Sequence, residues 1–204
     1  MDRAGLMNKM SDAFDDYWSS SFPGCPPISY LFKWRMPDRW LRVHSLPNSK
    51  RYPESDKERG EVLRRQKLLL ADVVGIAEEC FFVGAAFGDL PTVAYCGAVP
   101  DLGEILTNPA RRISHREVEK DDDEPVGIWD VEVGKGRLDI DRLKLILLKI
   151  ADDQLSHFFV VNPKLNRIFA PYDGGVDLIL EDSEQRDALR TVYSDWCSAR
   201  SDRL

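Results

Sequence analysis

Between residues 157 and 196 the chain carries a pattern that few arrangements satisfy. His157-Phe-Phe-Val-Val161 and Arg167-Ile-Phe-Ala170 are short β-branched and aromatic runs, separated by Asn162-Pro-Lys-Leu-Asn166, which has the composition of a hairpin turn. Two antiparallel strands are predicted. Gly174-Gly175 offers positive-φ freedom for a tight reversal into 176–180, where Val176, Leu178 and Leu180 alternate with Asp177 and Ile179, so one face of this third strand is expected to be buried. Asp182 or Ser183 is placed to cap the next helix. In that helix Leu189, Val192, Tyr193 and Trp196 fall at i, i+3, i+4 and i+7, an apolar stripe expected to pack on the small sheet.

The remaining chain reads as further short strands alternating with helices. Leu6, Met7, Met10, Phe14, Tyr17 and Trp18 recur at helical spacing up to the turn residues Pro23-Gly-Cys-Pro-Pro27. Residues 28–34 and 40–46 read as strands able to form a hairpin, 47–54 as a loop, and 56–79 as one helix that Gly75 weakens only slightly. Residues 81–87 and 92–96 are strand candidates, and 101–106 a short helical turn. Residues 111–125 are nearly all charged and closed by Pro125, the composition of a surface loop or linker. Beyond it, 126–133 alternates like a strand, Gly134-Lys-Gly136 turns the chain, and Asp139 or Asp141 caps a helix carrying Leu143, Leu145, Ile146, Leu147 and Ile150. The predicted fold class is α+β, antiparallel sheet with packed helices. It is organised either as an N-terminal subdomain 1–110 and a C-terminal subdomain 126–204, or as one continuous domain.

Composition excludes several classes. With 204 residues, 43% apolar and 31% charged, the chain can bury roughly 70% of its unfolded surface and is globular rather than disordered or fibrous. Cys25, Cys80, Cys96 and Cys197 lack CxxC spacing and a partner His at zinc-finger distance, so reduced thiols are expected. The N-terminus has no signal-peptide core, and no apolar run nears the roughly 18 residues that cross a bilayer, which places the protein in the cytoplasm.

The search for chemistry finds no GxSxG, P-loop, HExxH or post-strand GxGxxG, and no cofactor or metal site is expected. Gly134-Lys-Gly136 lacks the flanking residues of a phosphate cradle. Asp121-Asp-Asp-Glu124 lacks the ligand spacing of a calcium loop and reads as a solvated charge run. His44, His115 and His157 are dispersed, as surface or core-edge residues would be. Asp173 and Asp177 flank the double glycine. They form either a paired-carboxylate site or, as favoured, a turn-bonding Asp173 and a solvent-facing Asp177, with Tyr172 a packing residue.

Charge is unevenly spread. Residues 33–67 hold 11 Lys or Arg against 5 Asp or Glu, a balance of +6 that leaves −13 for the rest of a chain whose total is −7. Trp34, Trp40 and Tyr52 lie among Lys33, Arg35, Arg39, Arg42, Lys50 and Arg51. That mixture either grips an anionic backbone or, with the aromatics turned inward, is ordinary surface.

Tyr172-Asp173-Gly174-Gly175-Val176-Asp177, followed by a helix reaching Trp196, resembles the uncharacterised bacterial family whose members carry a Tyr-Asp-Asp-Arg-Gly-Met-Asp signature (domain of unknown function 3885). The resemblance covers about the last fifth of the chain, with Trp40-Leu-Arg-Val-His-Ser-Leu46 a looser counterpart of an Arg-containing strand. This chain is one residue shorter in the signature and lacks its Arg, so no role of that Arg carries over. Only Tyr172, Asp173 and Asp177 match as polar positions.

Three functions follow. The leading one is a protein-binding module of the immunity or antitoxin type with a basic protein partner, motivated by the acidic balance and the missing catalytic motifs. The second is a nucleic-acid or anion binder acting through 33–67, with Arg39 and Arg42 as its binding residues. The third is an enzyme built on Tyr172, Asp173, Asp177 and His157, which requires those side chains to line one pocket.

Overall fold

The computed structural model describes residues 3–76, 78–87, 109–114 and 128–198, with side chains from Asp12 onward in the first helix. Seven strands form one antiparallel sheet: β1 Trp40–His44, β2 Glu79–Phe87, β3 Pro109–Ser114, β4 Ile128–Arg137, β5 Phe158–Asn162, β6 Arg167–Tyr172 and β7 Gly175–Ile179. Their spatial order is β1-β7-β6-β5-β2-β4-β3. The fold is α+β, and its C-terminal part is the three-stranded meander β5-β6-β7 followed by a helix. Strands from residues 1–110 and from 126–204 alternate in the same sheet, β1 beside β7 and β2 between β4 and β5.

Helices cover both faces, and the period-2 pleat sorts side chains between them. Leu41, Val43, Cys80, Phe82, Phe158, Val160, Phe169, Val176 and Leu178 point to one core. That core is closed by Leu69, Leu70 and Val73 of α3 (Asp56–Val73), Ile146, Leu147 and Ile150 of α4 (Lys144–Ala151), and Tyr193 after α5 (Ser183–Val192). Trp40, Phe81, Val83, Phe159, Val161, Ile168, Ala170 and Ile179 point to the other core, under Phe14 and Trp18 of α1 (Arg3–Ser21) and Phe32 of α2 (Phe32–Arg35). β7 is therefore buried on both faces, not one.

Several expectations fail for identifiable reasons. Residues 28–34 are not a strand but a 3₁₀ turn, Ser29–Leu31, running into α2. Buried Ile28, Leu31 and Phe32 are spaced i, i+3, i+4, which is helical. β1 consequently pairs with β7 rather than with its sequence neighbour. α3 opens as expected, with the Ser55 hydroxyl accepting from Glu58 N (3.3 Å), but ends at Val73. Gly75 terminates it in the left-handed region (φ +91°), its N–H donating to Leu70 O (3.3 Å) and Ala71 O (3.1 Å).

Gly134-Lys-Gly136 makes no turn, because the β2–β4 ladder continues through it, Gly134 opposite Phe82 and Gly136 opposite Cys80. Arg111–Ser114 belongs to β3, a charged edge strand rather than a linker. Leu143, not an Asp, occupies the α4 cap; Asp139 instead caps the turn before it, accepting from Asp141 N at 3.0 Å. Val192 is 70% exposed and leaves the expected stripe, whereas Leu189 and Trp196 pack against the core. The proposals for 92–96, 101–106, 121–124 and His115 lie outside the described residues.

Cys25, Cys80 and Cys197 are free, and burial pushes the Cys25 and Cys80 thiols up to about 12. No helix among the described residues is long and apolar enough to cross a membrane.

Candidate functional site

The β6–β7 turn is pressed against β1, and this closeness is what the double glycine provides. Neither Gly174 nor Gly175 has a positive φ, contrary to expectation. A Cβ on Gly175 would lie 2.2 Å from the Val43 carbonyl oxygen, inside any permitted contact, and Ser45 N donates to Gly174 O at 3.1 Å. Gly175 thus sets the register in which Arg42 of β1 faces Asp177 of β7.

Asp177 does not face solvent. It is 5% exposed and accepts from Arg42 Nε (2.7 Å) and Nη2 (2.8 Å), a bidentate clamp. The guanidinium carbon sits 4.4 Å from the Tyr172 ring centre and 5.4 Å from that of Trp40. Burial acts to lower the Arg42 pKa, and the Asp177 contacts more than offset it. Arg42 Nη1 has no protein partner among the described residues.

Asp173, 8% exposed, bonds its own turn as expected, its Oδ1 accepting from Gly174 N at 3.0 Å. Its Oδ2 accepts from Nε of Arg51, whose side chain is 65% exposed. Burial raises the Tyr172 pKa, which keeps its hydroxyl a proton donor, and that hydroxyl has no partner among the described residues.

These side chains border a cavity of about 450 Å³, which is also lined by Tyr30, Asp153, Leu155 and His157. The size is that of a small-molecule site. His157 precedes β5 with φ +55°, fixed by Ala85 N donating to its carbonyl (3.1 Å), and its ring meets those of Tyr30 (5.8 Å) and Trp129 (5.1 Å) edge-on. Burial lowers its pKa, so the imidazole is neutral around pH 7. Asp153, with φ +57°, follows α4 and donates its N–H to Ile150 O at 3.0 Å.

Of the residues singled out in the sequence, Tyr172, Asp173, Asp177, His157 and Arg42 come together in this pocket. Arg39 does not: it donates to Leu180 O (2.6 Å) and Asn166 O (2.7 Å), tying the ends of strands together. Trp40 is buried, whereas Trp34 is 69% exposed beneath Lys33. Of the three aromatics in 33–67 only Trp40 turns inward, while Trp34 and Tyr52 stay exposed against Lys33 and Arg51. Tyr30, Asp153 and Leu155 carried no signal in the sequence, because only the tertiary fold brings their segments to the β6–β7 turn.

Both oxygens of Asp177 and both of Asp173 accept hydrogen bonds. Arg42 Nη1 and the Tyr172 hydroxyl are donors, and the Asp153 carboxylate an acceptor, without a hydrogen-bond partner among the described residues. Comparison with curated proteins and with solved structures returns no match. A family model, by contrast, matches residues 28–201, which include every residue of the pocket, and the chain belongs to that family, described as Domain of unknown function (DUF3885).

Proposed function

We propose that the protein is a binding module that captures a carboxylate-bearing ligand in the pocket between the β6–β7 turn and residues 153–157. The observation that carries this reading is Arg42: clamped by Asp177, held between two aromatic rings, and left with one unpaired nitrogen in a residue lining a cavity. A guanidinium fixed in this way loses little freedom when it takes a further oxygen acceptor. The Tyr172 hydroxyl offers a second donor. The expectation from sequence that this chain is itself an immunity or antitoxin-type module with a basic protein partner is a separate reading, and the pocket adds no observation in its favour.

Calorimetric titration with benzoate tests it. Benzoate is expected to bind, and Tyr172→Phe, which keeps the ring and removes the hydroxyl, to weaken binding by roughly fivefold, the worth of one hydrogen bond. Unchanged affinity in that variant, or no binding of benzoate to the native chain, refutes the reading.

A further inference from the structure

The charges around the cavity decide what sort of carboxylate fits it. Arg42 and Arg51 stand with Asp153, Asp173 and Asp177, two positive groups against three negative ones. Within one cavity these charges lie inside a single screening length. A simple anion deepens the negative excess, whereas a ligand carrying one charge of each sign leaves it unchanged.

The unused hydrogen-bonding capacity is divided in the same way. Arg42 Nη1 and the Tyr172 hydroxyl are donors without a hydrogen-bond partner among the described residues, beside the buried Asp177. Asp153 is exposed at the mouth, and its carboxylate has no hydrogen-bond partner among the described residues, although its charge is felt by Arg51 and Tyr52. Tyr30, Leu155 and Pro171 add apolar surface to the same cavity. The two left-handed residues, Asp153 and His157, are pinned by backbone hydrogen bonds, so this wall is shaped before a ligand arrives.

We infer that the pocket takes a free α-amino acid with an apolar side chain, its carboxylate on Arg42 and Tyr172, its ammonium on Asp153, and its side chain along Tyr30 and Leu155. This rests on the carboxylate reading above and adds the second charge and the chemical class.

Titration of the full chain with phenylalanine, N-acetylphenylalanine and 2-phenylethylamine tests it. Phenylalanine is expected to bind tightest, with each analogue weaker by roughly tenfold, the usual worth of a charged hydrogen bond. Asp153→Asn, which suits the left-handed backbone and is checked for an unchanged melting temperature, is expected to weaken phenylalanine roughly tenfold while N-acetylphenylalanine, an anion relieved of one negative neighbour, binds as well or better. Equal binding of phenylalanine and its N-acetyl form overturns the zwitterion while leaving the carboxylate reading intact. Failure of all three to bind while benzoate binds overturns the amino-acid assignment alone. Failure of benzoate as well overturns both.

Discussion

Gly175 shows how a single missing side chain governs the site. Any Cβ there meets the Val43 carbonyl at 2.2 Å, and relief requires β1 and β7 to part where Arg42 and Asp177 face each other. Gly175→Ala is expected to cost about 1–3 kcal/mol, the range for forced overpacking, and to abolish benzoate binding. Gly60, exposed in the second turn of α3 with nothing within 4 Å of an added Cβ, is the internal control. Gly60→Ala is expected to stabilise by about 0.5–1 kcal/mol through helix propensity. Urea midpoints of the two variants shifting in the same direction would contradict this account. In the sequence the double glycine stands out as a source of dihedral freedom, whereas in the fold it serves close approach. Close approach by a strand some 130 residues earlier leaves no local mark.

At the scale of elements, one buried amide ties a turn to a helix end. Asn162 closes β5: its Oδ1 accepts from Lys164 N (2.9 Å) and Leu165 N (3.3 Å), and its Nδ2 donates to Val74 O (2.7 Å) just past α3. Three bonds from a fully buried side chain make Asn162→Ala costly, on the order of 3 kcal/mol from unsatisfied backbone groups alone. Chemical denaturation measures it, and a loss under about 1 kcal/mol would show that water replaces the amide.

The same scale explains which elements were legible. The β5–β6 turn, β7 and the Asp182-capped α5, in which Asp182 accepts from Gln185 N at 2.8 Å, were readable because their turn residues and periodicities are local. Residues 28–34 read as a strand because a seven-residue, largely apolar and aromatic stretch satisfies strand and helix spacing alike, and Arg111–Ser114 reads as a linker because edge strands tolerate charge. In the candidate site, the polar members of the turn were visible. Arg42 stands in the sequence with Arg39 as an anion-binding residue, but its pairing with Asp177 is not visible there, being set by β1 joining β7.

For the molecule as a whole, the strand order carries its own prediction. A fragment of residues 126–204 keeps β4 to β7 but loses β2 from between β4 and β5, and β1 from the flank of β7. It is expected to expose unpaired edges and to associate or stay unfolded rather than unfold cooperatively as a monomer. Sedimentation combined with thermal melting checks this, and a monomeric fragment with a sharp transition would show that the C-terminal strands suffice alone.

Arg42 and Asp177 stand 135 positions apart. The pocket they organise does not exist in a nascent chain until β7 has left the ribosome and met a strand made long before. A ligand of the proposed kind would therefore be captured late in biosynthesis and would act as a seal on finished molecules, favouring them over truncated or half-folded chains that compete for the same proteases.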